Sequence, residues 1–188
     1  HLLNTLVGHS KEIWGVSFAA DSARISTAGE DKTARVWNLR ANRMLTFLRG
    51  HTGPVESAEY SPDGNSILTA GSDGTTRVWD ALSGLQIFSL TENQDAVKMA
   101  SYSSSGARIV TAGADGIARI WDVSTRKLWQ ETEYHGNWVR SARFSPDGGI
   151  LVTGGDNKQT RIWDARSSRL LDSARTKDAV ARFESRVR

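Results

Sequence analysis

The chain has 188 residues, of which 38% are hydrophobic, and its 24 lysine and arginine residues against 21 acidic ones give a net charge of +3. No apolar stretch approaches the roughly 20 residues that cross a bilayer, so we expect no membrane-spanning helix. The absence of cysteine excludes disulfides and thiolate metal sites and favours a reducing compartment. We therefore expect a cytoplasmic protein, with a nuclear location as the alternative.

A short pattern returns along the chain at a constant spacing of 42 residues, marked by Trp37, Trp79, Trp121 and Trp163. Each tryptophan closes a segment in which a tight turn is followed by alternating β-forming residues. A constant period of this length is typical of repeat architectures. The sequence therefore predicts an array of similar units.

In chain order, each unit begins with a strand such as residues 13–18, continues through a turn and a hairpin, and ends with a strand such as residues 44–48. The turns carry the proline, aspartate and glycine that tight turns require, as at residues 61–64. No helical periodicity is found. Four short strands per unit predict an all-β fold, a β-propeller of four-stranded antiparallel blades.

The predicted boundaries place four repeats at residues 8–49, 50–91, 92–133 and 134–175. Residues 1–7 are predicted to form the outer strand of a preceding blade, and residues 176–188 the start of a fifth. Two middle strands are missing between these flanking strands, so we expect an incomplete arc of a larger ring. Further blades would come from chain outside this sequence or from a second copy, and a closed four-blade ring is a further alternative.

The second repeat contains Gly50-His51, the turn Ser61-Pro62-Asp63-Gly64, and Trp79-Asp80. With this spacing, the whole chain resembles the WD-repeat β-propeller family. The resemblance implies a buried hydrogen-bond tetrad in each blade, formed by a histidine, a serine or threonine, an aspartate and a tryptophan. The implied members are His9, Thr27, Asp31 and Trp37; His51, Thr69, Asp73 and Trp79; Thr111, Asp115 and Trp121; and His135, Thr153 and Trp163.

Two blades depart from this tetrad pattern. Asn93 stands where the third blade should have a histidine, and Asn157 stands where the fourth should have an aspartate.

Histidine, threonine and aspartate together invite a catalytic interpretation, but catalysis needs one activated nucleophile in a cleft. Here the same trio recurs in successive repeats, so we interpret it as structural. The four histidines, at positions 1, 9, 51 and 135, lack the close ligand spacing of a zinc site. We therefore predict no enzyme, no metal and no cofactor.

The resemblance also implies a partner-binding face, on which the loops before the first strands and the aspartate turns open. The positions that it marks for contact carry Glu12, Trp14, Glu30, Glu56, Lys98, Trp138, Arg140 and Asp156. Trp14 and Trp138 are the expected anchors, because aromatic side chains often dominate interfaces. The alternative is that both tryptophans pack between blades.

Arginine recurs two residues before each repeat tryptophan, at positions 35, 77, 119 and 161. Such a ring could hold phosphates, but we expect each stem to cover apolar surface and each charged head to reach water. We therefore predict a non-catalytic protein–protein interaction scaffold or sensor within a larger protein. The alternatives are a nucleic-acid-binding propeller, or a regulatory propeller fused to an ATPase or kinase outside this chain.

Overall fold

The computed structural model describes residues 4–91 and 93–175, and within these ranges it contains sixteen strands and no helix. The strands form four separate four-stranded antiparallel sheets, each built from consecutive strands in chain order. This architecture confirms the predicted all-β fold. No segment of the described chain forms a helix that could cross a membrane.

Each sheet corresponds to one sequence period. Sheet 1 contains β1 (Ile13–Phe18), β2 (Arg24–Gly29), β3 (Thr33–Asn38) and β4 (Arg43–Arg49). Sheet 2 contains β5 (Val55–Tyr60), β6 (Ser66–Gly71), β7 (Thr76–Asp80) and β8 (Gln86–Leu90). Sheet 3 contains β9 (Val97–Tyr102), β10 (Arg108–Gly113), β11 (Ala118–Asp122) and β12 (Lys127–Glu131). Sheet 4 contains β13 (Val139–Phe144), β14 (Ile150–Gly155), β15 (Gln159–Asp164) and β16 (Leu170–Arg175).

The predictions for the chain ends are only partly covered. Residues 4–7 belong to no strand. Residues 1–3 and 176–188, on which the rest of the two flanking strands was predicted, lie outside the described residues. The repeat boundaries stay predictions.

The hairpin between the second and third strands fixes the register of each sheet. In sheet 2, Ile67 pairs with Trp79 and Thr69 pairs with Arg77. The turn between these strands ends at Gly74, whose φ of 78° suits glycine. Because side chains alternate across a strand, this register places Thr69 and Trp79 where their polar atoms can meet.

The hydrophobic core lies between neighbouring sheets. Between sheets 1 and 2, Val36 and Leu48 pack in one buried cluster with Val55, Ala58 and Trp79. Equivalent clusters fill the junction between sheets 2 and 3 and the junction between sheets 3 and 4. The first strands of successive sheets also contact each other. Burial between sheets, at about 25 cal/mol per Å² of apolar surface, therefore holds the array together.

One face of sheet 1 is not covered by another described sheet. Ile13, Val16 and Phe18 are exposed, whereas Val55 and Ala58, the equivalents of the first two in sheet 2, are buried against sheet 1.

Candidate interaction face

The tetrad of sheet 1 forms a continuous hydrogen-bond chain. The indole N–H of Trp37 donates to Thr27 Oγ1 at 2.8 Å, and Thr27 Oγ1 lies 2.8 Å from His9 Nε2. The opposite ring nitrogen of His9 lies 2.9 Å from the Asp31 carboxylate. Because the carboxylate accepts from Nδ1–H, the threonine hydroxyl donates to Nε2. All four side chains therefore have their polar atoms paired.

Sheet 2 repeats this chain with His51, Thr69, Asp73 and Trp79, over distances of 2.8, 2.8 and 3.0 Å. Burial lowers the pKa of His51, and the neighbouring Asp73 carboxylate opposes that shift. Burial raises the pKa of Asp73, but hydrogen bonds from the Thr52 backbone N–H and other donors, together with the charge of His51, hold it at about 2. The aspartate is therefore ionised near neutral pH.

In sheet 3 the tetrad is divided into two parts. Trp121 donates to Thr111 at 3.1 Å, and the Thr111 hydroxyl donates to the side-chain oxygen of Asn93 at 3.1 Å. The Asn93 amide nitrogen is buried without a hydrogen-bond partner. The Asp115 carboxylate instead accepts from Arg119 at 2.6 Å. The shorter asparagine side chain therefore bonds to the threonine but not to the aspartate, whereas the histidine of sheets 1 and 2 bonds to both.

In sheet 4 the interruption lies at the other end. Trp163 Nε1 and His135 Nε2 each lie 2.7 Å from Thr153 Oγ1. The Asn157 amide donates to the backbone carbonyl of His135, and the ring Nδ1 of His135 is buried without a partner. Burial, and secondarily the charge of Arg161, lowers the pKa of His135 to about 4. The histidine is therefore neutral near pH 7.

The tetrad threonines are closed to any substrate. All four are buried, and each accepts a hydrogen bond from its tryptophan. A serine or threonine nucleophile must be able to reach a substrate carbonyl or phosphorus. The tetrads therefore serve to pair buried polar groups. Among the described residues, no cluster of three or more histidine or acidic side chains is placed to hold a metal ion.

The recurring arginines differ from expectation, because ion pairs or hydrogen bonds to neighbouring protein groups hold their heads. Arg35 and Arg119 form ion pairs with the turn aspartates at 3.4 and 2.6 Å, and Arg77 approaches its own aspartate at 3.9 Å. Arg161, which has Asn157 nearby instead of an aspartate, donates to the backbone carbonyl of Tyr134 at 3.0 Å. A nearby cation stabilises a buried carboxylate, which is the physical reason for the difference in sheets 1 to 3. This arrangement leaves the ring of arginines occupied by the protein itself.

The predicted contact positions lie at one end of the sheets, where the loops before the first strands meet the turns between the second and third. A backbone hydrogen bond joins the two segments in each sheet, from Glu30 N–H to Glu12 O and from Asp156 N–H to Trp138 O in the outer two. The same bond runs from Ser72 to Pro54 and from Ala114 to Ala96. The loops are therefore fixed to the sheet framework.

Side chains from all four sheets meet at this end. Trp14, Glu56, Lys98 and Arg140, which come from sheets 1 to 4 in turn, line one cleft of about 320 Å³. Lys98 Nζ lies 2.6 Å from the Glu56 carboxylate, which links sheets 2 and 3. The structure thus brings together four residues that are 42 positions apart in the sequence.

Trp138 lies beside this cleft between two cations. Lys98 Nζ is 5.1 Å from the centre of its ring, and the Arg140 guanidinium carbon is 4.6 Å from it. Arg140 is held by a two-point ion pair with Asp156, at 2.7 and 2.8 Å. This ion pair lowers the pKa of Asp156 and raises that of Arg140. Trp138 is 39% exposed and Trp14 is 44% exposed, so neither is packed away between sheets.

The remaining two predicted contact residues are less integrated. Glu30 forms an exposed ion pair with Lys11 at 3.0 Å. The Glu12 backbone pins the loop, and its side chain is exposed. Both lie in sheet 1 and its leading loop, away from the ion pairs that connect sheets 2, 3 and 4.

Sequence reasoning missed a second polar group in the same cleft. Arg143 of β13 pairs with Glu59 of β5 and donates to Ser101 Oγ of β9 at 2.9 Å. Glu59 and Arg143 line the 320 Å³ cleft. The three residues are spaced by 42 on the first strands of three sheets, so the period itself was the signal that would have found them.

Comparison with known proteins identifies the repeat. The family model described as "WD domain, G-beta repeat" matches residues 1–38, 42–80, 84–122 and 127–164. A curated relative, "Pre-mRNA-processing factor 19 homolog 2" of Arabidopsis thaliana, is 50% identical over 36 residues, which is 19% of this chain and 7% of that protein. This match is shorter than one sequence period, so it shows similarity within a single repeat. The family matches cover most of the chain, and the chain belongs to the WD40 repeat family.

Proposed function

We propose that this chain is a non-catalytic protein–protein interaction module that binds a protein or peptide partner on the face described above. The observation that carries the proposal is the cleft at which Trp14, Glu56, Lys98 and Arg140 converge from four different sheets. WD40 repeats in general mediate protein–protein interaction. The module acts by rigid display, since hydrogen-bonded sheets hold side chains from distant sequence positions in one arrangement.

The chemistry of this face suits a partner that offers both apolar and charged groups. Trp14 and Trp138 each offer half-exposed aromatic surface, and tryptophan is among the commonest anchors of interfaces. Charges of both signs surround them, and the ion pairs hold these charges in place before a partner arrives. Such preorganisation lowers the entropy cost of binding.

The test is partner capture with matched tryptophan variants. Trp14→Ala and Trp138→Ala should each reduce recovery of specifically bound protein by roughly tenfold, the size expected for an interface anchor. Trp129→Ala is the control, because Trp129 is also 39% exposed but lies on the outer strand β12. Thermal melting should confirm that all three variants are folded. Equal recovery by all of them would exclude this face.

Nucleic-acid binding gains less support from the geometry. Arg35, Arg77 and Arg119 lie against their own aspartates, and the cleft contains Glu56 and Glu59 next to its cations. A phosphate-binding surface would need unpaired cations. A salt titration against RNA and DNA separates the two functions, because phosphate binding weakens steeply with salt.

We also propose that the chain is part of a larger protein and that this protein is cytoplasmic. Fusion to an ATPase or kinase would add regulation of that enzyme to partner binding. Fractionation of cells that express the full-length protein tests its location. Recovery chiefly from the nuclear fraction would replace the cytoplasmic proposal.

A further inference from the structure

A second cleft lies at the opposite end of the sheets, between sheets 2 and 3. Its volume is about 850 Å³, and it is lined by the turns that follow β5, β9 and β11 together with residues of β7 and β8. Antiparallel strands place these turns at the end remote from the loops of the interaction face. The cleft is therefore separate from the site of the proposed function.

The walls of this cleft are largely apolar. Val78, Ile87, Phe88 and Val123 line it, with Ile87 46% exposed and Phe88 half-buried. The Arg126 guanidinium carbon lies 5.2 Å from the centre of the Phe88 ring, at one side of the opening. A groove of this size and lining is within the range of known binding sites.

The repeat itself shows that Phe88 is unusual. In the strand register, Phe88 pairs with Val78, and the equivalent partners in sheets 1, 3 and 4 are Thr46, Gln130 and Asp172. Three sheets thus carry a polar residue at the position where sheet 2 carries an aromatic one. Packing of the repeat does not require phenylalanine at this position.

In sheets 1 and 3, the polar residues at this position form hydrogen bonds across the junction to the next sheet. The Thr46 hydroxyl donates to the backbone carbonyls of Ala81 and Leu82 in the neighbouring sheet, at 3.3 and 3.2 Å. In the junction between sheets 3 and 4, Ser168 Oγ donates to Gln130 Oε1 at 3.0 Å. A phenylalanine side chain has no atom for such a bond. The junction at Phe88 therefore lacks this hydrogen bond, and its contact between strand and turn is the one between the Phe88 ring and Arg126, the equivalent of Ser168.

Charge and strand position indicate what fits the cleft. Asp63 and Asp122 line it together with Arg126, and hydrogen bonds from serine and backbone groups lower the pKa of both aspartates, so they are ionised near pH 7. The outer strand β8 pairs only with β7 in the part of the chain described. An extended segment that adds to this edge would direct alternate side chains toward the neighbouring sheet, beside Phe88.

We infer that this cleft is a second docking site, which takes an extended peptide segment of a partner protein with a bulky apolar side chain next to a lysine or arginine. The apolar side chain contacts Phe88, Ile87 and Val123, and the cation faces Asp63 and Asp122. Asp63 and Asp122 outnumber Arg126 among the charged residues that line the cleft, which disfavours a phosphate-bearing ligand. The inference stands independently of the proposed function at the other end of the sheets.

The experiment follows the methyl signals of isoleucine, leucine and valine by NMR while capped hexapeptides are added. The first peptide has a leucine–phenylalanine pair flanked by lysines; in the others, glutamates replace the lysines or serines replace the apolar pair. We expect the first peptide alone to shift the signals of Val78, Ile87 and Val123. Absence of these shifts with the first peptide, or equal shifts with the glutamate peptide, would overturn the inference.

Matched variants locate the binding. Phe88→Thr introduces the residue that sheet 1 carries at this position and should weaken the first peptide at least fivefold. Ile87→Ser, at a half-exposed position, provides a second variant if Phe88→Thr melts early. Leu45→Ser changes the exposed residue that sheet 1 carries at the position of Ile87 and is the control, with unchanged affinity expected. Unchanged affinity in both cleft variants would overturn the inference.

Sedimentation of the protein without peptide tests whether a second copy of this chain occupies the cleft instead. A concentration-dependent dimer that Phe88→Thr abolishes would assign the cleft to a second copy of this chain, and would also overturn the inference.

Discussion

Asn157 occupies the position that an aspartate fills in the other three sheets, and it leaves His135 Nδ1 buried and unpaired. An unpaired buried polar group costs about 1–3 kcal/mol. Asn157→Asp should supply the missing acceptor and stabilise the protein by about 1 kcal/mol, which raises the melting temperature by about 2–4 °C for a domain of this size. Calorimetry provides the measurement.

The reverse change in sheet 2 is the matched control. Asp73→Asn recreates the arrangement of sheet 4 around His51 and should destabilise the protein by about 1–3 kcal/mol. A melting temperature that falls with Asn157→Asp, or that does not move with Asp73→Asn, would contradict the role assigned to the tetrad.

His135 also predicts a pH dependence. Its pKa falls from 6.5 to about 4 on folding, chiefly because of burial. Between pH 6.5 and pH 4 the unfolded chain binds a proton at this histidine that the folded chain does not bind. The free energy of unfolding therefore has its full value above pH 6.5 and decreases as the pH falls toward 4. Urea unfolding at pH 7.5 and pH 5 should therefore show a stability loss on acidification that is smaller in His135→Asn.

Asn93 shows that the repeat accepts asparagine at the histidine position, which makes His135→Asn a reasonable substitution. An equal stability loss in the variant and the parent would assign the pH dependence to other groups. The buried aspartates are separable from this effect, since Asp31 and Asp73 have lowered pKa values and act only below about pH 3.8.

At the scale of the element, the hairpin turns divide into two kinds. Gly74 and Gly116 close theirs with φ of 78° and 83°, while Lys32 and Lys158 adopt φ of 67° and 61° at the equivalent positions. A residue with a side chain costs about 1 kcal/mol of stability in this left-handed region. Glycine avoids this cost but loses more conformational entropy on folding, so the net gain from glycine is smaller. Lys32→Gly should therefore stabilise the protein by about 0.5 kcal/mol, measured by urea unfolding.

Gly74→Lys makes the opposite change in the equivalent turn of sheet 2. A Cβ atom at Gly74 would meet nothing closer than 3.5 Å, so space is available and the backbone conformation alone is tested. Stabilisation by this change would contradict the argument from φ.

The strands were predictable because their determinants are local. Turn residues such as Asp73-Gly74 and the apolar run that ends at Ala70 lie within a few positions of each other, and the 42-residue period repeats the signal. The contacts of Trp138 with Lys98 and Arg140 were not predictable to the same degree. They depend on how sheets 3 and 4 pack, and a position in the register does not specify which cation faces which ring.

The positions of the recurring arginine heads were also not predicted from the sequence. The Asp115 carboxylate accepts from the buried Arg119, and the equivalent arginines of sheets 1 and 2 also lie near their turn aspartates. The expectation of an arginine head in water treated the side chain alone. Its actual position follows from the turn aspartate four residues earlier, which the 42-residue period repeats in sheets 1 to 3.

At the scale of the whole molecule, Glu59 and Arg143 connect sheets that are not neighbours. They are 84 residues apart, on β5 and β13, and β9 lies between them. The pair can form only if the first strands of the three sheets curve around a common axis. The coupling energy between Glu59 and Arg143 therefore depends on how sheets 2 and 4 lie relative to each other.

A double-mutant cycle with Glu59→Gln and Arg143→Gln measures that arrangement. The Arg143 side chain is 55% exposed, so solvent screens the pair, and a coupling energy of about 0.5–1 kcal/mol is expected at low salt. The coupling should fall at 1 M sodium chloride, because the Debye length there is about 3 Å. Strict additivity of the two substitutions at low salt would mean that Glu59 and Arg143 do not interact in solution, which would contradict this prediction.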